Sequence, residues 1–229
     1  MKRNPQHLQN TEFDVLIIGA GIYGAFAAWD AAMRGLKTAL IDKDDFGSAT
    51  SSNSLKIIHG GLRYLQHMDF IRMRESILER RHMMSMAPHL AHPLPCVMGT
   101  YGHMIKGPEA MRAALLLNDI ISLDRNRLQD TQKHLPRGRV ISAQKFLEIV
   151  PFVDRDRLNG GAVWYDGIMS DSERLLLSIV RAAAEQGAVV ANYIKAKEIL
   201  IENNRTTGAV VSDQTGTDSF PVRAKTILS

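Results

Sequence analysis

The sequence predicts an α/β fold: a parallel sheet with a helix packed on it, a β-meander, and part of an α+β second domain. Three observations carry this. Residues 13–42 read as strand, glycine turn, helix, strand, the order of a parallel βαβ unit. Gly19-Ala20-Gly21-Ile22-Tyr23-Gly24 places G-x-G-x-x-G between the first strand and the helix, and Asp42 ends the second strand. From Ala188 onward, short apolar runs alternate with turn signals at Asn203-Asn204 and Thr215-Gly216, the pattern of a small meander.

Each part of the first unit has a chemical reason. Gly19 permits a tight turn, Gly21 lacks a Cβ so that a pyrophosphate can approach the backbone, and Gly24 lets the helix lie close on the sheet. The helix N-terminus offers unpaired N–H groups and a partial positive charge to phosphate. Asp42 can accept hydrogen bonds from both hydroxyls of an adenosine ribose, where a basic residue would suit a 2′-phosphate. A glycine-rich turn without a ligand would show the same glycines. The strand before, the helix after and the acid at the end distinguish a dinucleotide site from it.

The remaining elements follow in order. Residues 48–54 are rich in small hydroxyl side chains and read as an ordered loop feeding a helix, with hydroxyls suited to a second phosphate contact. Gly60-Gly61 would let a flat ligand approach the backbone. Residues 69–86 form an amphipathic helix, with Arg72, Arg74, Arg80 and Arg81 on one solvated face that could touch an anionic membrane surface. Pro88, Pro93 and Pro95 break that helix and lead to an extended segment at 97–101. His89 and His92 lack acidic or cysteine partners, so no metal site is expected. A helix over 109–122 starts at Pro108, 125–139 is a polar surface connection, and Ser142 caps a short helix to Val150. Residues 160–167 read as a strand, and Asp171 caps a helix ending at Gly187. Strands follow at 188–191, 196–201, 208–212 and 219–222, and Thr226-Ile227-Leu228 begins another, which predicts an incomplete fragment. The domain division expected is 1–87, 88–170 and 171–229.

Composition excludes several classes. A chain of 229 residues with net charge +4 is an ordinary globular one with ample core. No aromatic–basic interleaving points to nucleic acid. The single Cys96 gives no disulfide framework and fits a reducing, cytoplasmic setting. The first ten residues are polar, without the apolar stretch of a secretory signal, and the apolar, uncharged run 15–29 is too short for a membrane span.

The run from Thr50 through Ser51, Lys56, His59, Gly60, Gly61, Arg63 and Tyr64 to Leu65, with Lys43-Asp44-Asp45-Phe46 and the glycine turn, resembles the FAD-dependent glycerol-3-phosphate dehydrogenases. These belong to the D-amino-acid-oxidase-like flavoprotein superfamily. The resemblance continues through Met86-Ala87-Pro88-His89-Leu90, Trp164-Tyr165-Asp166-Gly167, residues 171–175 and Glu185-Gln186-Gly187-Ala188, and is loose over 102–152. It implies a Rossmann-like FAD-binding domain, FAD as cofactor, oxidation of sn-glycerol 3-phosphate to dihydroxyacetone phosphate, and a quinone or oxygen as electron acceptor. It implies that Gly19, Gly21 and Gly24 hold the FAD pyrophosphate, with Asp42 at the adenosine ribose and Lys43 beside it. Thr50, Ser51 and Lys56 fall where the family's second loop meets pyrophosphate and flavin. Gly60 and Gly61 fall beside the isoalloxazine, Ala196 at a backbone contact to adenine, and His59, Arg63 and Tyr64 around flavin and substrate. Three departures stand out: Asp42 where the family usually has glutamate, Tyr23 where it commonly has asparagine, and Leu55 where it commonly has serine.

Oxidising a secondary alcohol needs a hydride acceptor, a base and cations for the substrate phosphate. His59 is either that base or an anchor for the loop or flavin, since imidazole titrates near neutral pH. Arg63 suits a phosphate or an anionic flavin, or else an ordinary salt bridge on the helix. Tyr64 either hydrogen-bonds substrate or packs with its hydroxyl satisfied. The alternatives to a glycerol-3-phosphate dehydrogenase are a sister flavin oxidase of an amine or other hydroxy acid, and a non-catalytic flavin-binding fragment. Homo-oligomer formation and peripheral membrane contact are compatible with either.

Overall fold

The computed structural model of the chain describes residues 3–104 and 107–229. The elements begin with α1 (Pro5–Gln9), β1 (Glu12–Ile18), α2 (Ile22–Met33) and β2 (Thr38–Ile41). They continue with β3 (Ile57–Ile58), α3 (Phe70–Met86), β4 (Ala91–Tyr101), α4 (Pro108–Ile121), β5 (Arg139–Ser142), α5 (Ala143–Ile149) and β6 (Leu158–Met169). They close with α6 (Ser172–Glu185), β7 (Val189–Ala191), β8 (Ile194–Glu202), β9 (Arg205–Asp213) and β10 (Ser219–Leu228). Two compact units result, Met1–Leu55 with Asp171–Ser229, and Lys56–Ser170.

The first unit is built on a six-stranded sheet in the order β7-β2-β1-β10-β9-β8. β2, β1 and β10 run parallel, as do β2 and β7. All four residues of β2 are buried, as a strand flanked on both sides and both faces requires. The inner face of α2 is Ala25, Ala28 and Ala32, small enough for the helix to pack close beside α6. The Asp171 carboxylate accepts from the Arg174 N–H at 2.8 Å to start α6, and Gly187 ends it at φ +98°. β8, β9 and β10 form the antiparallel meander.

One expectation here is corrected: residues 219–222 and 226–228 are a single strand, β10. Phe220, Val222 and Ala224 are buried while Pro221, Arg223 and Lys225 are exposed, a period of two through the basic residues. β10 ends the meander and also pairs with β1. Pro221 is tolerated because β1 begins to pair only at Arg223, so at Pro221 only β9 is alongside.

The second unit has β6 at the centre of its sheet. β4 lies along one side, from Ala91 opposite Met169 to Tyr101 opposite Leu158. β3 and β5 share the other side. β5 is unexpected, and β4 starts well before the extended segment expected at 97–101. The Met169 N–H donates to the Lys56 carbonyl at 2.8 Å, so Ile168, and His92 opposite it, face each other across the ladder. Pro93 and Pro95 therefore turn their missing N–H away from β6, and the strand survives them.

The first domain boundary falls at Leu55 rather than at residue 87. The reason is α3, which buries Met73, Ile77, Arg80 and Met84, with Met84 joining Ala91 and Leu135 in a core of the second unit. The second boundary of the units lies at 170/171. The solvated arginine face is also corrected. Arg80 is 3% exposed and pairs with Asp166, Arg74 and Arg81 both bind Asp124, and Arg72 alone stays exposed, beside Asp69. The 125–139 connection is not all surface either. Arg125, Lys133 and Leu135 are buried, with Arg125 on Asp119 and the Lys133 Nζ 2.8 Å from His92 Nδ1. Among the described residues no helix is long and apolar enough to cross a membrane.

Candidate functional site

In the first unit the glycine turn sits at the C-terminal end of β1, where open α/β sheets place ligands. Gly19 takes φ +108°, and its N–H donates to the Ile41 carbonyl at 2.8 Å. A Cβ on Gly24 would lie 1.9 Å from the Gly19 carbonyl oxygen, so α2 touches the end of β1. Gly21 is the N-cap of α2, and a Cβ there would meet only Ser51 Oγ, at 3.4 Å. The Ile22 N–H, one of those that lack an intrahelical acceptor, donates to that Oγ at 3.0 Å. Ser51 arrives there because the loop after β2 folds back. The Gly47 N–H donates to the Ala20 carbonyl at 3.0 Å, and the Ser52 N–H to the Gly47 carbonyl at 3.1 Å. Thr50 is exposed beside it, and Tyr23, in the first turn of α2, is 90% exposed.

Asp42 is tied into the turn itself. Its Oδ2 accepts from the Ala20 N–H at 2.7 Å and its Oδ1 from the Asp44 N–H at 3.0 Å. The carboxylate thus joins the loops that follow β1 and β2. A carboxylate offers about four lone-pair sites, so these two bonds leave acceptor capacity for a ribose hydroxyl. Lys43 is exposed, its Nζ 3.9 Å from Asp44. Ala196 lies half-buried on β8 beside a bulge, paired with Val211 while Glu198 pairs with Val210.

In the second unit, Lys56 takes φ +58° before β3. His59 is exposed and meets the Tyr64 ring edge-on at 5.9 Å, and the Arg63 guanidinium stands 5.5 Å from the same ring. Gly61, at φ +76°, opens a 3-10 turn, Leu62–His67. Arg63, Tyr64, Gln66, His67, Asp69 and Arg72 line an open depression of about 370 Å³.

Gly60 was expected to leave room for a flat ligand; that room holds an arginine. A Cβ on Gly60 would fall 2.1 Å from Arg80 Nη1. Asp166 Oδ1 accepts from both Arg80 Nη1 and the Gly60 N–H at 2.6 Å, and its Oδ2 accepts from Trp164 Nε1 at 3.0 Å. Arg80 Nη1 also donates to the Tyr165 carbonyl at 3.0 Å. Burial pushes the Arg80 guanidinium below its ordinary value, with Asp166 opposing the shift. Burial, then Asp166, pushes the nearby Cys96 thiol up. Sequence reasoning missed both members of this pair. The available signal was a carboxylate inside the otherwise apolar strand Ala162-Val163-Trp164-Tyr165-Asp166-Gly167, since aspartate is almost never buried unpaired.

The first unit fits a dinucleotide. A helix start whose N-cap is a glycine, an open approach to that glycine, and a hydroxyl and an acid fixed alongside are what a pyrophosphate and its ribose require. Comparison with known proteins names the class. The family model described as FAD dependent oxidoreductase (DAO) matches residues 14–229. A glycerol-3-phosphate dehydrogenase of Synechocystis is 40% identical over 223 residues, covering 97% of this chain but 39% of its own length. The human mitochondrial glycerol-3-phosphate dehydrogenase is 37% identical over 236 residues, covering 97% of this chain and 31% of its own. The chain therefore spans well under half the length of these relatives. Among solved structures, the Bacillus halodurans glycerol-3-phosphate dehydrogenase complexed with FAD has a TM-score of 0.68 at 24% identity, covering 96% of this chain and 34% of that one. The L-α-glycerophosphate oxidase of Mycoplasma pneumoniae with FAD bound has a TM-score of 0.66 at 16% identity, covering 95% of this chain and 53% of that one. At such identities the structures show the fold, and the sequence match shows more: running from Asp14 through the glycine turn to Ser229, it establishes that the chain belongs to the FAD-dependent oxidoreductase family.

Proposed function

We propose that this chain forms the dinucleotide-binding domain and part of the substrate domain of an enzyme that oxidises sn-glycerol 3-phosphate to dihydroxyacetone phosphate. A quinone or oxygen takes the electrons. The observation that carries the reading is the Ser51 hydroxyl on the α2 N-terminus beside Gly21, in a chain whose relatives are named glycerol-3-phosphate dehydrogenases.

FAD, when bound, supplies the hydride acceptor. Gly19, Gly21 and Gly24 bring the backbone N–H groups of α2 to its pyrophosphate, and Ser51 and Thr50 add hydroxyls there. Asp42 accepts from the adenosine ribose while holding the Ala20 N–H, with Lys43 alongside, and Ala196 offers backbone at the adenine. Lys56 and Gly61 serve the flavin side, with Gly60 behind them. His59 receives the carbinol proton or hydrogen-bonds the hydroxyl at an imidazole nitrogen. Arg63 forks onto the substrate phosphate, and the Tyr64 ring lies beside both side chains.

The chain is incubated with FAD and NAD together, passed through gel filtration, and its flavin absorbance read before dye-linked oxidation of glycerol 3-phosphate is assayed. Co-elution of stoichiometric FAD is expected. Retention of NAD with no flavin would refute the cofactor reading. FAD that bleaches anaerobically with an amine or another hydroxy acid, but not with glycerol 3-phosphate, would refute the substrate.

A further inference from the structure

We infer that Arg80 and Asp166 are positioning residues: together they fix the 59–61 turn and thereby set the direction in which His59 points. The inference rests on the reading of His59 given above for its functional meaning, and on geometry within the second unit for the clamp itself.

The β3–β6 ladder ends abruptly. Ile57 pairs with Ile168 and Ile58 with Gly167, so the next residue, His59, would stand opposite Asp166. There the backbone pairing stops and two glycines follow. Consecutive glycines are the point of greatest conformational freedom on such a path. Asp166 takes over where the ladder stops, accepting the Gly60 N–H at 2.6 Å with its side chain. The same oxygen accepts from Arg80 Nη1 at 2.6 Å, and the guanidinium occupies the place a Gly60 Cβ would take. The glycine is thus held from two sides, by a hydrogen bond and by contact.

Burial makes the clamp stiff. Arg80 is 3% and Asp166 7% exposed, Arg80 Nη1 also donates to the Tyr165 carbonyl, and Asp166 Oδ2 also accepts from Trp164 Nε1. A buried ion pair is not in general more stabilising than apolar residues of equal volume. What an apolar pair cannot supply is a directed, charge-assisted bond to one backbone N–H. His59, by contrast, is exposed, and its contact with Tyr64 is an edge-on ring contact, which leaves the anchoring to its neighbour.

The test uses the whole chain with and without FAD, in four variants. Asp166→Asn keeps shape, but its amide turns an N–H₂ toward a site that already supplies donors from Gly60, Arg80, Trp164 and Cys96. Arg80→Lys keeps the charge and loses the guanidinium's contact with Gly60, and decides the question should Asp166→Asn fail to fold. His59→Ala reports what the flavin senses of His59. Asp124→Asn breaks an ion pair of α3 in the same unit that does not touch the turn. The readouts are amide exchange at Gly60 by NMR and the visible circular dichroism of bound flavin. Asp166→Asn and Arg80→Lys are expected to speed Gly60 exchange roughly tenfold or more. They should also move the flavin signal as His59→Ala does, while Asp124→Asn moves neither. Unchanged Gly60 exchange in both clamp variants, or an equal response to Asp124→Asn, overturns the proposal. Faster Gly60 exchange with a flavin signal blind to His59→Ala supports the clamp and refutes instead the reading of His59.

Discussion

Replacing Gly24 by alanine sets two effects of opposite sign against each other. Gly24 lies in the first turn of α2, where helix propensity alone favours alanine by roughly 1 kcal/mol. The added Cβ would lie 1.9 Å from the Gly19 carbonyl oxygen, whereas ordinary contact begins at 3.4 Å, so about 1.5 Å must be found. Neither side yields easily. The Gly19 N–H is bonded to the Ile41 carbonyl, the next N–H to Asp42, and α2 rests on the sheet through alanines that leave no slack. Overpacking costs about 1–3 kcal/mol, and a clash of backbone with helix belongs at the upper end. The net expectation is destabilisation of about 1–2 kcal/mol and a Tm lower by roughly 2–8 °C. FAD affinity should fall at least about tenfold as the N–H groups of α2 shift. Gly21→Ala is the contrast. Its Cβ meets only Ser51 Oγ at 3.4 Å, so Tm should barely move while FAD affinity falls, because the methyl occupies the approach of the pyrophosphate. Thermal unfolding and fluorescence titration with FAD check both variants. A higher Tm for Gly24→Ala, or undiminished FAD binding by Gly21→Ala, would falsify this division between a packing glycine and a ligand glycine.

Two further expectations follow from charges. The Arg3 guanidinium holds Asp213 at about 2, below its ordinary 3.8. Because the folded value is depressed, its contribution to stability is present above about pH 4 and lost as pH falls toward 2. Arg3→Ala should therefore cost of order 1 kcal/mol at pH 7, after solvent screening, and progressively less below pH 4; a constant difference across chemical denaturation curves at both ends would contradict it. Gly60→Ala must displace Arg80 from Asp166 and should cost about 3 kcal/mol in the native background, but much less once Arg80→Ala has removed the obstacle. Equal costs in both backgrounds, measured by urea unfolding, would show that Arg80 is not what Gly60 accommodates.

Much of the first unit was legible because its signals are local. The 13–42 stretch states its period, its glycines and its terminal acid within thirty residues or so, and α6 announces its own cap at Asp171. β10 was misread because its alternation runs through Arg223 and Lys225, which look like a break until β1 and β9 are both seen beside it. The boundary at Leu55 was invisible for a similar reason. α3 follows the glycine-rich loop in sequence, but its buried face is complementary to β4 and β6, which come later.

The site shows where such reading must stop. Gly21 and Gly60 have the same local look, a glycine in a loop leading to helical backbone, and both suggest an approach for a ligand. At Gly21 the space stays open and a serine hydroxyl marks its rim. At Gly60 it is filled by Arg80, a residue twenty positions on whose spacing with Arg72, Arg74 and Arg81 suggested a solvated face. Only Asp166 breaks the tie, being a carboxylate that an apolar strand would not bury without a cation and a donor to meet it. Read forward from Asp166, the arginine of α3 becomes its partner and the glycine becomes the room that partner needs. The double glycine beside His59 is then a hinge held shut by protein, so a ligand at this turn would meet Gly61 and His59, with Gly60 as their support.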